Sequence, residues 1–74
     1  MASAVVVNAL WDAGARVWVA ESDDVPGLVA EAESIETLAA KLEVLIPELL
    51  EANGRPMLRQ DVDLVATRSL HHVG

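Results

Sequence analysis

The residues able to do chemistry are few, and most of them are carboxylates. Asp12, Glu31, Asp61 and Asp63 are the set from which a magnesium site for phosphodiester cleavage would be built, because two-metal chemistry needs several carboxylates drawn close together. Asp12 falls in a turn-like run and the other three alternate with apolar neighbours, which is the pattern of solvated strand faces and not of convergence. His71 and His72 are adjacent, so they cannot share a helical face, and a chelating site would need further ligands from elsewhere; they read as a chain end. Ser69 has no evident acidic partner for nucleophilic catalysis, and no Gly-rich phosphate loop is present. The reading is therefore a non-enzyme with no metal and no cofactor. A vestigial metal-dependent nuclease is its enzymatic alternative.

The charge balance points to binding. Twelve acidic against five basic residues give a net charge of −7, which repels a phosphate backbone and disfavours direct nucleic-acid contact. Nine of the acids lie between Glu21 and Glu51, where Lys41 is the only base. A basic protein is the natural partner of such a surface, although solvation alone also accounts for it. There is no cysteine, so neither a disulfide framework nor a thiolate zinc site can be proposed. The N-terminus lacks the charged start and apolar run of a signal peptide, and no segment approaches the roughly 20 apolar residues that span a bilayer. A cytoplasmic protein without membrane contact is expected.

At 74 residues the chain reads as one domain, 1–74, near the size at which a single core is marginal. Its only aromatics are Trp11 and Trp18, so the core must be built from Val, Leu, Ile and Ala. A homo-oligomer, dimer or higher, or a protein partner is expected to supply further burial.

The elements that position these residues can be read in order. Residues 4 to 11 and Arg16 to Glu21 are strand-like and flank the turn-like run Asp12-Ala13-Gly14-Ala15, with Gly14 available for positive φ. Setting Trp11 opposite Arg16 puts Ala9 against Trp18 and Val7 against Ala20, so both indoles share one face. Val6, Leu10, Val17 and Val19 take the other. One helix covers only one of these two apolar faces, and the second needs another cover.

Val25-Pro26-Gly27-Leu28 then has the residues of a type II turn. Leu28, Ala30 and Ala32 alternate with Val29, Glu31 and Glu33 in a third strand, an edge guarded by its acids. Ser34 caps a helix whose stripe is Ile35, Leu38, Leu42, Leu45, Ile46 and Leu49, with Glu36 at its positive end. Pro47 predicts a kink on the solvent side, Asn53-Gly54 a helix end, and Pro56 prevents resumption. A last strand over Gln60 to Thr67 should return parallel to the first. The fold class is α+β, β-β-β-α-β: a four-stranded, mostly antiparallel sheet of order 3-2-1-4 with one helix on one face.

Trp11-Asp12, Val17-Trp18-Val19-Ala20, Asp23-Asp24-Val25-Pro26-Gly27-Leu28, Glu31-Ala32-Glu33-Ser34 and the Leu-rich helix together resemble the HicB-like antitoxin superfamily, and within it the short, single-domain branch of unknown function. The resemblance covers nearly the whole chain. It implies a partly degraded ribonuclease H-like fold and a protein that binds and masks a small basic toxin that cuts messenger RNA. Many members add a DNA-binding domain; this chain ends after its fourth strand and is expected to carry none. No catalytic residue of the fold can be transferred. The expected partner-binding residues are Trp11, Trp18, Asp23, Asp24, Glu31 and Glu33. The alternative to toxin masking, besides a vestigial nuclease, is a self-associating structural domain.

Overall fold

Period-two alternation decides the first half of the chain. In the computed structural model, which describes residues 5–54 and 62–69, β1 (Val5–Asp12) buries Val5, Val7 and Ala9 and exposes Val6, Asn8 and Leu10. It pairs antiparallel with β2 (Val17–Glu21), which pairs antiparallel with the short β3 (Ala30–Ala32). The helix α1 (Ile35–Ala52) follows, and β4 (Val62–Thr67) runs parallel to β1 on its other side. The sheet order is β3-β2-β1-β4, so the expected topology and strand directions are found, with one helix among the described residues.

The turns follow from local chemistry. Leu28 N–H donates to Val25 O at 3.1 Å while Gly27 sits at φ +85°, the third position of a type II turn. Pro26 presets the position before it. In the β1–β2 hairpin, however, Arg16 takes the left-handed conformation, φ 58°, and Gly14 does not. Arg16 N–H donates to Asp12 O at 2.7 Å, and Asp12 Oδ1 accepts from Gly14 N–H at 3.0 Å and Ala15 N–H at 3.2 Å. Asp12 therefore belongs to the strand and shapes the turn from its end. The loop is residues 13–16, and the pairs are Trp11 with Trp18, Ala9 with Ala20 and Leu10 with Val19. This register differs by two residues from the expected one. A slip of two preserves the faces, so the division into a tryptophan side and a valine side is unchanged.

Ser34 caps α1: its Oγ accepts from Thr37 N–H at 3.1 Å, with Glu36 in the first turn. Asn53 ends the helix and Gly54, at φ 72°, takes the chain out of it. Its buried residues are Leu38, Leu42, Ile46 and Leu50, with Ile35, Leu45 and Leu49 half-buried. The stripe is rotated toward Leu50, a residue absent from the expected set. Both Leu49 and Leu50 are apolar, and the sheet beneath, not the periodicity, chooses between them. Pro47 lies inside the helix, which continues through it to Ala52.

The core joins these leucines to Val5, Val7, Ala9, Ala20, Val25, Leu28, Ala30 and Ala32. Each fully buried Leu, Ile or Val contributes about 1.5–3 kcal/mol. Small alanines on β2 and β3 let the helix approach that side of the sheet. The helix accordingly packs on β3 and β2 more than on β1 or β4. Pro56, Gln60, Asp61, His71 and His72 lie outside the described residues.

Candidate functional site

The helix covers the tryptophan side, and the valine side is bare among the described residues. Pairing sets its residues in rows: Glu31, Val19, Leu10 and Thr67 run across β3-β2-β1-β4, and Glu21, Asn8 and Val65 form the next row, with Val6 beside Asp63. Asp12 stands beside Val17 at the hairpin end. Val6, Leu10 and Val65 keep 37, 43 and 45% of their surface exposed. These residues are neighbours and form one patch, unlike Val44 on the outer side of the helix, which is an isolated surface apolar group. Carboxylates surround the patch: Glu31 on one edge strand, Asp63 on the other, Glu21 at the end of β2 and Asp12 at the end of β1. Val6, Leu10 and Val65 stand around the exposed amide of Asn8 and the rim is negative, a layout in which apolar groups give area for a partner and the rim selects charge.

The expected site residues are distributed over several surfaces. Glu31 lies on the bare face, at its β3 edge. Glu33 is exposed just before the helix cap, and Asp23 is exposed in the loop after β2. Asp24 is half-buried and already occupied: its Oδ2 accepts from Val6 N–H at 2.9 Å, and its own N–H donates to Ser22 Oγ at 3.1 Å. Ser22 Oγ in turn donates to Val6 O. This loop closes the otherwise open backbone of β1 at Val6. Trp11 and Trp18 are half-buried on the helix side, with ring centroids 5.4 Å apart and planes at 62°, edge to face. The Arg68 guanidinium lies over the Trp11 ring, 4.6 Å from its centroid. Val6, Leu10 and Val65, the exposed apolar residues of this face, are absent from the expected site. The two-sided hydrophobicity of β1 is the signal that points to them, but which side the helix takes is decided by the alanines of β2 and β3.

The carboxylates singled out for metal chemistry do not assemble. Asp12 Oδ1 is used by two turn amides. Glu31 and Asp63 belong to opposite edge strands, three strand spacings or roughly 14 Å apart. Among the described residues no three His, Cys, Asp or Glu side chains are grouped to hold a metal ion, and no charged or polar side chain is buried.

A second surface feature lies on the helix side. Because α1 leans toward β3, a groove of about 300 Å³ opens between it and β4, lined by Ala39, Leu42, Ile46, Pro47, Val62 and Leu64, with Glu43 at its rim. Its lining is mostly apolar.

These features define a β-β-β-α-β domain of the α+β class with one sheet face under the helix and the other uncovered by any described element. The chain belongs to the family described as Domain of unknown function (DUF1902), whose model matches residues 4–72. It is similar, at 51% identity, to the crystal structure of a hypothetical protein from the extremely thermophilic bacterium Thermus thermophilus, over 97% of this chain and 100% of that one, with a TM-score of 0.74. The comparison with curated proteins gave no match. Among the described residues no helix is long and apolar enough to cross a membrane.

Proposed function

We propose that this chain is a non-enzymatic protein-binding module of the antitoxin type, which masks a small basic, messenger-RNA-cleaving protein with the bare face of its sheet. The observation that carries the reading is the contiguous exposed patch of Val6, Leu10 and Val65 framed by Asp12, Glu21, Glu31 and Asp63. The exposed apolar side chains supply the driving force for association, and the carboxylate rim attracts Lys and Arg of a basic partner and repels nucleic acid. The resemblance of the Asp23-to-Ser34 run to HicB-like antitoxins supports the choice of partner class. A toxin held on this face is kept from its RNA by occupation of its basic surface.

The test is isolation of the tagged chain from its own cells, followed by mass measurement of what accompanies it. A small basic protein that inhibits translation when produced alone, and is neutralised by this chain, is the expected companion. Leu10→Lys places a positive charge in the centre of the patch and should release it with folding intact. Retention of the companion by a folded Leu10→Lys chain would sink the reading. The nuclease alternative predicts magnesium-dependent RNA degradation by the chain alone, an activity for which the separated carboxylates give no support.

A further inference from the structure

We infer that two copies of this chain join through β4, edge to edge and antiparallel, into one continuous eight-stranded sheet. The two edges of the protomer are treated very differently. β3 is three residues long and has Glu31 at its middle and Glu33 just beyond it, and one of its carbonyls, Glu31 O, is taken by Lys41 Nζ at 2.7 Å. Short length, acidic residues and an occupied carbonyl are the devices that keep an edge from pairing. β4 is twice as long, has one acid, Asp63, and none of its carbonyls is taken by a side chain among the described hydrogen bonds. It is six residues long, Val62-Asp63-Leu64-Val65-Ala66-Thr67, without proline and with a single charge, and it ends the sheet beyond β1. Its outward N–H and C=O groups offer a template for another strand.

The groove beside β4 points to the same occupant. Val62 and Leu64 line it, only half-buried, because the helix leans to the far edge and leaves the helix side of β4 thinly covered. Ala66, on the same side, is exposed. A strand added to β4 would lay its own helix-side residues next to these three. One register of self-pairing also keeps the described carboxylates from standing directly opposite each other, which matters in a chain of net charge −7. With Leu64 opposite the Leu64 of the second copy, Val62 faces Ala66 and Asp63 faces Val65, so no carboxylate opposes another across the seam. The two-fold axis runs perpendicular to the sheet and makes the pair isologous. Both helices then lie on one side and both bare faces on the other, joined into a wider surface. The pairing does not depend on the proposed toxin partner: it uses a different edge, and it leaves that face free.

The chain has no cysteine, so engineered thiols report the seam without background. Residues directly opposite in an antiparallel pair have Cβ atoms about 4.5–5.5 Å apart, within reach of a disulfide after a small adjustment. Under mild oxidation Leu64→Cys should link into covalent dimers in most of the chains, and Leu10→Cys, at the centre of the bare face, should stay monomeric. Ala66→Lys adds a charge at an exposed position on the seam and should shift the sedimenting species of the otherwise unaltered chain from two chains to one, with the circular dichroism spectrum unchanged. A single-chain mass for the unaltered protein at high concentration overturns the inference. So does cross-linking through Leu10→Cys in place of Leu64→Cys, or a dimer that survives Ala66→Lys. Each of these results leaves the partner test above unaffected, since that test reads a second protein.

Discussion

Trp11 stands directly opposite Trp18 across the β1–β2 pairing, and the two rings meet edge to face with centroids 5.4 Å apart. These two residues are the only Phe, Trp or Tyr in the sequence, and they sit on the helix side of the sheet, Trp18 between Trp11 and Ala32. Trp18 packs against the core, and Trp11 extends the cluster outward to Arg68. The pair is therefore a structural clasp on the covered side of the sheet. Trp18→Ala should cost about 2–3 kcal/mol of unfolding free energy and Trp11→Ala somewhat less, since both rings are half-buried and the full core value is larger. A double-mutant cycle should find a coupling of about 0.5–1.5 kcal/mol between them. Urea unfolding of the four proteins measures all three quantities. Additive losses would mean that the edge-to-face contact contributes nothing beyond burial.

Arg16 is the hairpin's strained residue, the one described non-glycine with positive φ, at 58°. Holding a side chain there costs about 1 kcal/mol that glycine avoids. Arg16→Gly should raise the urea midpoint with an unchanged slope, by a stability increment of up to about 1 kcal/mol, the greater freedom of glycine in the unfolded chain offsetting part of it. Gly14→Ala should have little effect on packing, because an added Cβ meets Asp12 Oδ1 at an ordinary 3.4 Å. Gly27→Ala, at φ 85°, should be destabilising by about 1 kcal/mol or more. If Gly14 proved the sensitive glycine and Gly27 the tolerant one, the assignment of the turns would be wrong.

These turns mark the boundary of what the residue order reveals. The Pro-Gly reversal, the Ser34 cap, the helix and the returning strand all carry strong local signals, and the connection rules convert them into the sheet order. The hairpin does not, because a loop of Asp12-Ala13-Gly14-Ala15 and one of Ala13-Gly14-Ala15-Arg16 are both four residues long. Only the bonds of the Asp12 carboxylate to the turn amides separate them. The bare face is half legible. β1 is apolar on both sides, so an uncovered side is implied, but the choice between the tryptophans and the valines rests on helix–sheet packing over Ala20, Ala30 and Ala32. Asp24 reads as a free acid in the sequence and is instead a backbone acceptor for Val6, a long-range contact with no local signature.

Asp24→Ala tests that last contact. It leaves Val6 N–H without its carboxylate acceptor at the end of the central strand and should destabilise the fold by about 1–2 kcal/mol. Amide exchange at Val6 should accelerate more than exchange at Ala9. Unchanged protection at Val6 would show that water replaces the carboxylate at no cost.

Ser34→Ala removes the acceptor for Thr37 N–H and should cost about 1 kcal/mol, with fraying confined to the first turn of α1. Ser34→Asp should restore most of the loss, because a carboxylate both caps the helix and meets its positive end. Equal stabilities for the alanine and aspartate variants would mean that capping at this position contributes nothing.

The valine face, and not the tryptophan face, is the surface proposed to hold a basic protein. Its most direct test is the intact mass of the complex recovered from native cells with the unaltered chain and with Leu10→Lys, both checked for folding by circular dichroism. An added small basic chain is expected in the first complex, and its loss from the second. A folded Leu10→Lys chain that keeps the same companion, or an unaltered chain that brings none, would contradict the proposal.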